Sequence, residues 1–201
     1  AYDDGQNLAL LGCAGTGKTF ISIYLALRDI ETRRSSSNRL VIIRNAQSTK
    51  DIGFLPGNVK QKMEEYEQAY RDICSELYGR DDAYDVLKHK GIIEFSGTSF
   101  LRGVTIDNAI LLIDEAQNQN YGEIRTVLTR TGEDTRVIIC GDTKQDDLTS
   151  ERYKETSGLP MMMKVLDKMD SVDTVVFEIK DIVRSGFVKE LIETEYHLGM
   201  Y

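Results

Sequence analysis

The chain has 201 residues, enough for one well-buried domain and too few for two large ones. Its 25 Lys and Arg against 33 Asp and Glu leave a net charge of −8, which excludes a polyanion-coating protein of the histone kind but not a local basic groove. An apolar share of 41% excludes wholesale disorder, and the longest purely apolar run, Ala109–Ile113, is too short for a bilayer, so no membrane partner is expected.

Taken in chain order, short β-branched runs alternate with amphipathic stretches. Asn7–Leu11 is an apolar strand ending in glycine, and Thr19 to about Arg34 reads as a helix. Arg39–Arg44 is a buried strand. Val59, Met63, Tyr66, Tyr70, Ile73 and Leu77 recur at spacings of four and three, a single helical stripe whose rings and methionine read as packing. Strands follow at Gly91–Phe95, Ala109–Ile113, Arg136–Cys140 and Thr174–Ile179, with helices at about Tyr121–Arg130, Pro160–Met169 and Gly186–His197. Uninterrupted apolar strands separated by helices predict an α/β domain over residues 1–201, with a mostly parallel sheet covered on both faces. Arg33–Asn38 and the polar stretch Thr143–Ser157 read as surface loops. Cys13, Cys74 and Cys140 lie far apart with no CxxC or Cys/His cluster, and His89 and His197 lack metal-ligand spacing. With no charged-then-apolar leader visible, the three thiols read as core residues of a reducing, cytoplasmic compartment.

Gly12-Cys13-Ala14-Gly15-Thr16-Gly17-Lys18-Thr19 matches G-x-x-x-x-G-K-[ST] in full, between a strand and a helix as the motif requires. Its glycines let backbone N–H groups turn inward on phosphates, and the helix presents its positive end to the same anion. Lys18 then reaches the β- and γ-phosphates, while the Thr19 hydroxyl ligates Mg²⁺. The second half of the site is the strand ending in Asp114-Glu115. Asp114 is placed to hold Mg²⁺, and Glu115 to polarise an attacking water as general base. A built-in water activator favours hydrolysis over transfer to an acceptor, which disfavours a small-molecule kinase. The plainer reading of the two acids, a pair of helix caps, loses to a full phosphate loop in the same chain.

Asp114-Glu115-Ala116-Gln117 with Gly141-Asp142-Thr143-Lys144-Gln145 resembles motifs II and III of superfamily one helicases. The closer likeness is to PhoH-type ATPases, carried also by Gly53-Phe54-Leu55-Pro56-Gly57, Arg102-Gly103, Leu128-Thr129-Arg130 and Asp181-Ile182-Val183-Arg184. The resemblance implies a single RecA-like core, an ATP- and Mg²⁺-dependent hydrolysis cycle, and activity on single-stranded RNA or DNA. It also implies that Gln145 senses the γ-phosphate and that Arg184 supplies positive charge to the transition state, from this chain or a neighbouring one. Arg102 and Arg130 are weaker candidates for that charge. Cys13 and Asn45 depart from the family pattern, and Gln6 is the one upstream glutamine available to read a base.

Arg28, Arg33, Arg34, Arg39 and Arg44, with Ser35–Ser37, form the one local basic concentration and the candidate contact to a nucleic-acid backbone. A lone RecA-like lobe leaves the γ-phosphate half exposed, so a ring or other head-to-tail homo-oligomer is expected to complete the site. The competing reading is a nucleotide-dependent switch acting on protein partners without nucleic acid, which the negative charge favours.

Overall fold

The computed structural model describes residues 1–45, 59–98, 103–142 and 157–199, with residues 59–63 as helix backbone. The elements are β1 (Asn7–Gly12), α1 (Lys18–Thr32), β2 (Arg39–Arg44), α2 (Val59–Tyr78), α3 (Ala83–His89), β3 (Ile93–Ser96), β4 (Ala109–Asp114), α4 (Tyr121–Leu128), β5 (Arg136–Gly141), α5 (Leu159–Leu166), β6 (Val172–Phe177) and α6 (Gly186–His197). The strands form one sheet in the order β3-β2-β4-β5-β1-β6, and every ladder in it is parallel. Parallel neighbours need crossovers, and the intervening helices cover both faces.

Alternation along the strands divides the core in two. Leu8, Leu10, Leu40, Ile42, Ile110, Leu112 and Ile138 face α1, α2 and α3. Ala9, Leu11, Val41, Ile43, Leu111, Ile113 and Ile139 face α4 and α5. All six residues of β4 are buried, as expected of a central strand without polar alternation.

Several boundaries differ from the sequence reading for local reasons. Helix α1 stops at Thr32 because Arg33 adopts a left-handed φ of 52° and returns its N–H to the last turn. Strand β6 begins at Val172, paired with Asn7, and ends at Phe177, where Asp181 accepts from the Glu178 N–H in a tight turn. It is an edge strand, half exposed along its length. Helix α3 is absent from the sequence reading: seven residues are too few to display a period, although Ala83, Tyr84 and Leu87 bury one face. The three cysteines are buried and none forms a disulfide, as expected.

The sheet has two chemically distinct ends. At the amino ends of the strands, Arg136 pairs with Asp29 at 2.9 Å and lies 3.9 Å over the Tyr2 ring. Arg28 pairs there with Asp3 and with Asp29, Arg34 with Asp3, and Arg39 with Glu94. The carboxyl ends hold the phosphate loop and the acids.

Candidate nucleotide site

Strand β1 ends at Gly12 and the chain turns through the loop into α1, so the loop amides gather at the positive end of that helix. Gly15 has φ +80°, and a Cβ there would stand 2.7 Å from Arg184 Cγ. The loop is thus shaped for glycine by backbone conformation and by a neighbour at once. The Lys18 ammonium donates to the Gly12 and Cys13 carbonyls, each at 2.7 Å, which holds the charge inside the loop.

Strand β4 delivers the acids. The Thr19 hydroxyl donates to Asp114 Oδ1 at 2.8 Å, tying α1 to the acid strand across β5, which lies between β1 and β4. Tyr70 of α2 donates its hydroxyl to the other oxygen, Oδ2, at 2.9 Å. Burial first, and then the Asp114 carboxylate, hold the Tyr70 phenol well above its ordinary range, so it remains a donor. Glu115 departs from the strand with a left-handed φ of 50°, a conformation that turns its side chain out of the strand direction. Burial and then the Asp114 charge push its carboxyl upward, against opposing pulls from Arg44, Gln117 and Lys18. Gln117 donates to Glu115 Oε2 at 2.6 Å and accepts from the Asp142 N–H at 3.1 Å, so one amide joins the acid to the end of β5.

Arg184 reaches this cluster within its own chain. The Val183 N–H donates to the Gly15 carbonyl at 3.0 Å, and Arg184 packs against Gly15. A cleft of about 870 Å³ collects the loop, Lys18, Thr19, Arg44, Asp114, Glu115, Gln117 and Arg184. Cys13 is buried beside Ile182 and Ile192 of the segment that follows β6, so the departure at that position is absorbed by packing.

Other expectations separate. Gln145 and Arg102 lie outside the described residues, as do Gly53–Gly57. Gln6 precedes β1 and therefore stands at the opposite end of the strand, about 20 Å from the loop at 3.3 Å per residue. It contributes its carbonyl to Arg136 and is no part of the cleft. The five arginines of the basic concentration are split: Arg28, Arg34 and Arg39 are paired with carboxylates at the far end. Arg44 instead enters the cleft, opposite Asp114 in register and 5.4 Å from the Tyr66 ring. The sequence reading groups Arg44 with the candidate nucleic-acid contact, yet its place as last residue of a buried parallel strand already marks the ligand end of the sheet. Tyr70 carries no such signal.

Among solved structures, the large terminase from a thermophilic bacteriophage matches with a TM-score of 0.50 and 14% identity, over 95% of this chain and 45% of that one. That likeness shows the fold, a RecA-like P-loop core. A PhoH-like protein of Bacillus subtilis (strain 168) is 32% identical over 184 residues, covering 91% of this chain and 56% of that protein. Protein PhoH of Escherichia coli (strain K12) is 30% identical over 194 residues, covering 96% and 53%. The chain thus spans about half the length of the curated relatives it matches. The family described as PhoH-like protein matches residues 4–196, and the chain belongs to this PhoH-like family of P-loop NTPases.

Proposed function

We propose that the cleft binds ATP with Mg²⁺ and hydrolyses it. The observation that carries this reading is the 2.8 Å contact between the Thr19 hydroxyl and the Asp114 carboxylate, which joins the phosphate loop to the acid strand beside Lys18. A hydroxyl and a carboxylate are hard oxygen donors, the set that suits Mg²⁺, and the two atoms already converge. Thr19 and Asp114 would hold the cation, whose charge, when bound, offsets that of the phosphate oxygens.

The remaining steps fall to the chain's own groups. The amides of Gly12, Cys13, Ala14, Gly15, Thr16 and Gly17 cradle the phosphates, and Lys18 exchanges loop carbonyls for phosphate oxygens. Glu115, oriented by Gln117, takes a proton from the attacking water. Arg184, packed against Gly15, would stabilise charge on the transferring group from within the same subunit. Gln145 keeps the sensor role in this proposal on the motif alone.

Coupling to single-stranded RNA or DNA in a head-to-tail oligomer extends the reading. The pairing of Arg28, Arg34 and Arg39 with carboxylates favours the alternative, a nucleotide-dependent switch for protein partners, because it removes the basic stripe that would follow a phosphate backbone. Stimulation of turnover by single-stranded RNA or DNA separates the two. For the hydrolase itself, Lys18→Ala should lose nucleotide binding, whereas Glu115→Gln should bind ATP and release no inorganic phosphate. Normal phosphate release by Glu115→Gln would remove Glu115 as the base, and label appearing on an acceptor would replace hydrolysis with transfer.

A further inference from the structure

We infer that Tyr70 is a positioning residue for the metal-binding carboxylate, so that α2 sets how strongly Mg²⁺ and nucleotide bind together. The inference rests on the Mg²⁺–nucleotide reading above and adds to it a residue that no loop motif contains.

Asp114 is 2% exposed and has two carboxylate oxygens to satisfy. Oδ1 faces Thr19, the partner it would share with a cation. Oδ2 is held by Tyr70, whose side chain is fully buried. Tyr70 has two neighbours here. Its ring lies 5.5 Å from that of Phe95 on β3, and Arg44, opposite Asp114 in register at the end of β2, lines the same cleft. Both neighbours belong to the sheet, Phe95 to β3 and Arg44 to β2, so the hydroxyl is aimed by the sheet and α2 together. A carboxylate with one oxygen tied down cannot rotate to offer both oxygens to a metal or swing toward Lys18. The remaining oxygen is thereby reserved for the place where Thr19 points.

The geometry has a mechanical corollary. Helix α2 also forms a wall of the cleft through Ala69, Asp72, Ile73 and Glu76. A shift of that helix along its axis would move the Tyr70 hydroxyl and release Oδ2 without disturbing the loop. Tyr70 therefore links the wall of the cleft to the carboxylate at its floor.

The test measures nucleotide affinity by calorimetry, with Mg²⁺ and in excess EDTA, for the wild-type chain, Tyr70→Phe and Phe95→Leu. In the wild type Mg²⁺ should tighten binding; if it does not, the parent reading fails and the role of Tyr70 falls with it. Tyr70→Phe should bind as the wild type does in EDTA but lose about tenfold of the Mg²⁺-linked gain, the lower end of the usual loss on removing such an outer partner. Phe95→Leu keeps the hydroxyl but loses the ring that aims it, so it should lower the melting temperature and lose a smaller part of the Mg²⁺-linked gain, with binding in EDTA unchanged. A full Mg²⁺-linked gain in Tyr70→Phe overturns the inference. Should Tyr70→Phe fail to fold, Phe95→Leu decides the matter, and a full Mg²⁺-linked gain in that variant overturns the inference.

Discussion

Replacing Gly12 by alanine tests how tightly the phosphate loop is moored to the rim of the sheet. Gly12 is the last residue of β1 and pairs with Phe177, the last of β6. Its φ is +143°, and a Cβ would meet the Phe177 carbonyl oxygen at 2.5 Å and its Cβ at 2.8 Å. Two effects then add. The backbone conformation disfavours a side chain by about 1–3 kcal/mol. The overlap with backbone atoms, which cannot rotate away, costs about another 1–3 kcal/mol. A total of roughly 4 kcal/mol corresponds to a fall of about 8–16 °C in melting temperature for a chain of this size. Gly5→Ala is the control, because Gly5 has φ +89° with nothing within 4 Å of a Cβ and so feels the backbone effect alone. Thermal melts of both variants should show the larger fall for Gly12→Ala, and hydrogen exchange should quicken at the β6 amides as the edge strand yields. Equal falls in the two variants would refute the steric part of the reasoning.

Three further outcomes follow from the same cluster. Because burial and Asp114 raise the Glu115 carboxyl above its ordinary 4.5, the folded state binds its proton more tightly than the unfolded chain, and stability falls as pH rises from 4.5 through the raised value. Glu115→Gln should therefore melt higher than the wild type at neutral pH, with the advantage vanishing as pH drops toward 4.5; an advantage that grows on acidification would reverse the sign argued here. Gln117→Leu removes a hydrogen bond that favours the Glu115 carboxylate, so the acid limb of the kcat–pH profile should move to higher pH, and an unmoved limb would detach Gln117 from that carboxylate. Burial pushes the Cys140 thiol up, and the thiol lies 3.0 Å from the Ser22 hydroxyl, so alkylation at pH 8 should be slow in the native chain and fast in urea. Rapid native labelling at Cys140 would contradict the closed packing under α1.

The parallel sheet is legible in the sequence because its central strands are apolar at every position: β4 reads Ala-Ile-Leu-Leu-Ile before its acids, and all of it is buried. The edge strand is harder. In β6 a polar pair, Asp173 and Thr174, sits inside the strand because its flank is open to water, so the apolar run marks only its latter part. Lys18, Thr19, Asp114 and Glu115 are legible because their chemistry is local to two short stretches. Arg44 and Tyr70 are not, since their value comes from register and helix packing: Arg44 stands opposite Asp114 across a ladder, and Tyr70 reaches it from 44 positions earlier in the chain. Gln6 errs in the other direction, being near in sequence but at the wrong end of a strand.

The backbone tie from Val183 to Gly15 sits just beyond the least protected strand of the sheet. Fraying on warming is expected first at an edge strand, and loosening of the exposed β6 edge would draw Arg184 away from the loop. On the role proposed for Arg184, activity should therefore be lost on warming while the interior of the sheet is still intact.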